Sequence, residues 1–198
     1  THEGITYNAY VVDGEKKALI DLAKGFKADE FLGHVAEIVD PASLDYIVIN
    51  HTEPDHTGIL AVLRRIAPQA MVLGTPKALD MLQNFYHLDG NARAIEDGEM
   101  LSLGSHTLQF VYTPFVHWPE TMMTYETSQQ VLFACDGFGG YGALQGAIFD
   151  DQCSNLAFYE REALRYYVNI VAGFSRPVLK AIDKLSGVPV QVIAPSHG

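Results

Sequence analysis

The stretch His51-x-Glu53-x-Asp55-His56 places four side chains able to bind metal within six residues. Imidazole and carboxylate groups are the usual ligands of zinc, iron and manganese. Three more residues of this kind follow apolar, strand-like runs. Residues 107–113 lead through Pro114 to His117, residues 130–135 end at Asp136, and residues 190–194 lead to His197. The run 46–50 ends at His51 itself. Four runs therefore each deliver a ligand-type residue past their C-terminal ends, the edge where sheet proteins build sites. His51, Glu53, Asp55, His117, Asp136 and His197, with His56 as a seventh, are too many for one tetrahedral ion, so the count predicts a binuclear site. Asp136 has two carboxylate oxygens and stands between the other ligands in chain order, which makes it the expected bridge.

The elements that must position these residues can be read from turns and periodicity. Residues 7–12 and 17–21 form a predicted hairpin across an Asp13-Gly14 turn. Apolar spacing predicts a helix over 27–39, a buried strand over 46–50 and a helix over 57–67 closed by Pro68. A strand over 70–73 precedes a helix opened by a Thr75 cap and Pro76. Strands over 100–103, 107–113, 121–126 and 130–135 precede a Gly-rich loop, 137–146. That loop reads as a flexible turn. Helices over 155–172 and 177–185 and a strand over 190–194 complete a mixed-sheet protein covered by helices.

Composition narrows the function. The 198 residues are 48% hydrophobic and 19% charged, which suits one packed domain and excludes disordered and disulfide-scaffold classes. A net charge of −11 argues against nucleic acid and anionic membrane surfaces as partners. No apolar run approaches the roughly 18–20 residues of a membrane span. Cys135 and Cys153 form no C-x-x-C pair, which suits a reducing cytoplasm. Cys135 reads as a buried strand residue. The chain starts at Thr1 without Met and stops one residue after His197, so a piece trimmed at both ends is expected.

With these motifs assembled, the chain resembles the metallo-β-lactamase superfamily, whose usual motif is H-x-H-x-D-H followed by a later His, Asp and His. Glu53 in place of the second His resembles the flavodiiron proteins, also called A-type flavoproteins or rubredoxin:oxygen oxidoreductases. The stretches 4–10, 45–51, 114–122, 136–139, 165–169 and 195–198 resemble the same family. The resemblance spans nearly the whole chain and implies an αββα sandwich of two mixed sheets flanked by helices, formed by residues 1–198 as a single diiron domain. By the same resemblance one iron takes His51, Glu53 and His117, the other takes Asp55 and His197, and Asp136 and an oxygen species bridge them. His56 matches a position that ligates in some members and not in others. Tyr166 matches a group beside the irons. Gly137 departs from the Ala of many members.

The resemblance implies an oxidoreductase that reduces O2 to water or NO to N2O. Replacing an imidazole by Glu53 makes the ligand set harder and more anionic, which favours iron or manganese over copper. Glu53, Asp55, Asp136 and a bridging hydroxide balance two ferrous ions, and a neutral site admits neutral diatomics. Two ferrous ions hold two electrons, whereas O2 reduction to water needs four, so turnover needs a donor. Gly137-x-Gly139-x-x-Gly142 follows a strand, but it starts directly after the ligand-type Asp136, so it is not read as a flavin or dinucleotide fingerprint. In the family, FMN on a flavodoxin-like domain is the donor, and a head-to-tail homodimer brings it to the partner's irons. The 198 residues include no such domain, so FMN is expected on missing sequence or on a partner such as rubredoxin, a flavodoxin-like domain or a flavin reductase. Two other readings stand beside this one: a diiron O2-binding sensor without a flavin domain, and a binuclear hydrolase of the superfamily, against which Glu53 speaks.

Overall fold

The computed structural model describes residues 2–88, 90–144, 146 and 148–198. Gln145, inside the predicted Gly-rich loop, and Thr1 lie outside the described residues.

Among the described residues ten strands make two five-stranded sheets. The first has the order β1 (Tyr10–Asp13), β2 (Lys17–Ile20), β3 (Tyr46–Val48), β4 (Met71–Gly74) and β5 (Ala92–Ala94). β1 and β2 are the predicted hairpin, with Asp13 opposite Lys17; the other pairings are parallel. The second sheet runs β10 (Val192–Pro195), β9 (Val131–Cys135), β8 (Met122–Glu126), β7 (Thr107–Tyr112) and β6 (Met100–Ser102). Only β10 joins it in parallel. Both sheets are therefore mixed.

Alternation along the strands builds three apolar layers, because successive side chains face opposite sides of a sheet. Leu19, Ile47 and Val72 face the helices α1 (Ala28–Ala36), α3 (Leu60–Ile66) and α4 (Pro76–Tyr86), where they meet Val35, Leu63 and Leu82. Their neighbours Ala18, Ile20, Val48 and Leu73 turn inward to meet Phe110, Met122 and Phe133 of the second sheet. Val111, Met123, Leu132 and Ala134 face outward, against Tyr166 of α5 (Leu156–Tyr166) and Ala181 and Leu185 of α6 (Ser175–Leu185). The result is the expected αββα sandwich. Among the described residues no helix is long and apolar enough to cross a membrane.

Several boundaries differ from the sequence reading, each for a local reason. The helix expected over 57–67 is two pieces, α2 (Pro54–Thr57) and α3. Gly58 interrupts them where the chain passes close to Gly25: a Cβ at Gly58 would lie 2.5 Å from Gly25 N. α2 begins earlier than expected because Pro54 occupies the first turn, where its missing N–H costs nothing. The helix expected over 155–172 ends at Tyr166 and continues as a π-helical turn, Tyr167–Val171. β5 went unread because its sequence, Ala-Arg-Ala, carries little strand signal.

Candidate metal centre

All eight residues singled out in the sequence, the seven ligand types and Tyr166, converge at one end of the sandwich. Both sheets contribute. β3 ends just short of His51, and the chain then turns into α2, which carries Asp55 and His56 on its single turn with Glu53 immediately before it. β7 leads to the loop holding His117, closed by hydrogen bonds from Thr113 N to Thr121 O and from Val116 N to Thr121 Oγ1. β9 ends at Cys135, so Asp136 is the next residue. β10 ends two residues before His197, whose carbonyl accepts from Gly140 N.

The ligand atoms fall into two groups, in each of which they lie within 4.8 Å of one another: His51, Glu53, His117 and Asp136, and Asp55, His56 and His197. Asp136 is a member of the first and reaches the second. Its Oδ2 is 3.1 Å from His117 Nε2 and 3.7 Å from His51 Nε2. Its Oδ1 is 3.2 Å from His56 Nε2 and 3.3 Å from His197 Nε2. One carboxylate thus turns one oxygen to each group, the geometry a bridging ligand needs. Glu53 Oε2 stands 3.2 Å from His51 Nε2 and 3.3 Å from His117 Nε2. Asp55 is 3.6 Å from both His56 Nε2 and His197 Nε2.

The buried atoms test whether these residues suit metal. Asp55 Oδ1, His56 Nε2 and Asp136 Oδ1 are shut off from solvent without a hydrogen-bond partner. Buried polar atoms are nearly always paired. Orphaned donor atoms 3.2–3.6 Å apart that do not point at one another suit ligands aimed at a common ion. The residues fit.

Charge couples the cluster. Burial opposes a charged His51, but hydrogen bonds to Glu120 and Glu53 outweigh it and raise the imidazole to about 10. Burial likewise opposes His117, and its bonds to Asp136 and Glu53 raise it to about 9. The same contacts with His117 and His51 hold Glu53 far below the usual carboxylate range. Burial pushes Asp136 up, but the histidines around it, His56 foremost, bring it well below its ordinary value. Burial and the Asp136 charge keep Tyr166 protonated far above the usual phenol range. The Tyr166 ring lies 5.8 Å from that of His197.

The sequence reading missed the residues that hold the ligands. Glu120, fully buried, accepts from His51 Nδ1 at 2.7 Å, Thr52 Oγ1 at 2.7 Å and Thr52 N at 3.0 Å. Thr6 O accepts from His197 Nδ1 at 2.7 Å. Asp21 accepts from Asn50 N and Nδ2, and Asn50 Oδ1 accepts from Thr124 Oγ1, which stitches the two sheets beneath the site. A buried Glu or Asp in an apolar neighbourhood was the only available signal. Three non-glycine residues beside the site, Asp21, Phe115 and Cys135, have positive φ of 53°, 65° and 49°. Such strain is concentrated at functional sites.

Around the candidate ligands the walls are aromatic. Trp118 meets His51 edge-on at 5.0 Å, and Tyr141 packs against Tyr166 at 5.1 Å. Phe138, Tyr141, Ile148 and Phe149 line a cavity of about 580 Å³ that reaches His197. The glycine loop has a packing role at Gly139, where a Cβ would lie 2.9 Å from the Tyr166 ring.

Comparison with known proteins places this geometry in context. Residues 5–198 match the family described as ODP family beta lactamase. The chain is 38% identical over 201 residues to a nitric oxide reductase of Moorella thermoacetica, covering all of this chain and 50% of that protein. Its structure resembles the rubredoxin oxygen:oxidoreductase of Desulfovibrio gigas with a TM-score of 0.94 at 35% identity, over 99% of this chain and 49% of that one. It resembles the flavodiiron protein of Giardia intestinalis with a TM-score of 0.95 at 30% identity, over 100% of this chain and 48% of that one. The chain spans about half the length of these relatives.

Proposed function

Because this chain belongs to the ODP β-lactamase family, the metallo-β-lactamase-like domain of flavodiiron proteins, we propose that its cluster holds two iron ions and reduces NO to N2O or O2 to water. The observation that carries this reading is Asp136, with one oxygen toward each ligand group. His51, Glu53 and His117 hold one ion, Asp55, His197 and His56 hold the other, and Asp136 spans both. Two ferrous ions bound there supply the two electrons that couple two NO, with two protons, to N2O and water, or half of the four that O2 requires.

The chain's own residues do the rest. Glu120 and Thr6 O fix the His51 and His197 rings with Nε2 turned inward. Glu53 and Asp136 supply hard, anionic oxygens that suit iron. Tyr166 keeps its hydroxyl proton beside the Asp136 carboxylate and can hold a polar substrate atom as a hydrogen-bond donor. Trp118, Tyr141 and Tyr166 wall the site with aromatic surface that limits water. Repeated turnover would draw its electrons from a flavin on a separate domain or a partner protein. The names of the relatives, a nitric oxide reductase and a rubredoxin oxygen:oxidoreductase, support both substrates.

The test is a single turnover. The protein is loaded anaerobically with iron, reduced, and mixed with NO. One N2O per chain is expected without any added donor, and none from the zinc-loaded protein. Absence of N2O together with brisk thioester hydrolysis by the zinc form would favour a binuclear hydrolase instead.

A further inference from the structure

The three buried histidines of the centre are held at Nδ1 by three different groups. His51 faces a carboxylate, Glu120 Oε1, and His197 faces a carbonyl, Thr6 O. Neither acceptor can donate, so each of these Nδ1 atoms carries a hydrogen and Nε2 is the ligand atom. His56 is different: its Nδ1 faces the Cys135 sulfur at 3.8 Å. A thiol can donate or accept.

Which nitrogen faces the centre decides the direction. On the other side of the ring, His56 Nε2 lies 3.2 Å from Asp136 Oδ1 without forming a hydrogen bond to it, and both atoms are orphaned. A metal ion held between these oxygens takes the Nε2 lone pair, which leaves the ring hydrogen on Nδ1. Asp21, the other acid near His56, has both oxygens engaged by Asn50. The left-handed backbone of Cys135 sets the thiol under His56 while the next residue, Asp136, enters the centre.

We propose that Cys135 is a positioning residue for His56: its sulfur accepts the Nδ1 hydrogen, leaving the Nε2 lone pair toward Asp136 and Asp55, and so makes His56 a ligand of the Asp55–His197 metal. This rests on the two-metal reading. A thiol is a weaker acceptor than a carboxylate or carbonyl, so His56 is more readily exchanged than His51 or His197.

The test uses the zinc-loaded protein, which is diamagnetic, with histidine labelled with nitrogen-15. Imidazole nitrogen shifts report which atom carries the hydrogen, and competition with a coloured chelator measures each zinc affinity. The wild-type chain should bind two zinc ions and carry the His56 hydrogen on Nδ1. Cys135→Ala should weaken the second zinc about 10–100-fold and spare the first, with Cys135→Ser restoring most of the loss. Two zinc ions with the hydrogen on Nε2 overturn this inference alone, as does an alanine variant with unchanged or equally weakened sites. A wild-type chain that takes one zinc overturns the two-metal reading with it. Should the alanine variant fail to fold, the wild-type tautomer decides.

Discussion

Glu120 Oε1 lies 2.7 Å from His51 Nδ1, with both side chains sealed from solvent. The two residues come from different sheets, Glu120 from the loop before β8 and His51 from the end of β3. The contact therefore fixes one ligand of the centre by the way the sandwich closes. A carboxylate behind an imidazole ligand sets its tautomer and raises its basicity.

Replacing Glu120 by Gln keeps an acceptor for His51 Nδ1 but removes the charge. The metal held by His51, Glu53 and His117 should bind about 10–100-fold more weakly, with the Asp55–His197 metal little changed. Chelator competition followed ion by ion checks this. Equal losses at both ions would mean that Glu120 acts on the fold and not on His51.

Protons and metal compete for the same nitrogens. In the metal-free protein His51 and His117 are raised to about 10 and about 9. The folded chain then holds protons that an unfolded chain sheds above about pH 6.5. Stability from these pairs is complete below that pH and is lost as pH climbs through 9 and 10. Glu53 works in the opposite sense, its share being lost as pH falls through its depressed value. The melting temperature of the metal-free protein should fall between pH 7 and pH 10, and metal loading should flatten the decline and release protons at pH 7. Thermal melts across that range, with and without zinc, are the measurement. A melting temperature that rises toward pH 10 in the metal-free protein would contradict the pairing.

Gly139 gives Tyr166 its place. A Cβ there would sit 2.9 Å from the ring, closer than side chains pack. Gly139→Ala should cost about 1–3 kcal/mol in denaturant unfolding, as overpacking does. In a Tyr166→Leu background the cost should shrink, because the obstructing ring is gone. An undiminished cost there would place the strain in the backbone.

The legible part of this centre was local or carried by strand ends. His51, Glu53, Asp55 and His56 announce themselves within six residues, and Asp136 and His197 each follow an apolar run closely. The alternation of Ala18, Leu19 and Ile20 encodes both faces of a strand. What stayed hidden depends on long-range pairing. Nothing near Glu120 in sequence says that it will meet a residue 69 positions earlier, and nothing near Cys135 points to His56. The start of α2 has a local signal too: Pro54 follows Glu53 as Pro76 follows Thr75, and each proline opens its helix. The early end of α5 had no such signal, since apolar spacing runs on through the π-helical turn.

The central claim is that Asp136 joins two metals. Anaerobic iron titration of the wild-type chain and of Asp136→Asn, counting tightly bound ions per chain, tests it most directly. Two are expected in the wild type and one in the variant, because the amide cannot serve both groups as an anion. Two equally tight irons in the variant, or a wild-type chain that refuses iron and takes only zinc, would contradict it.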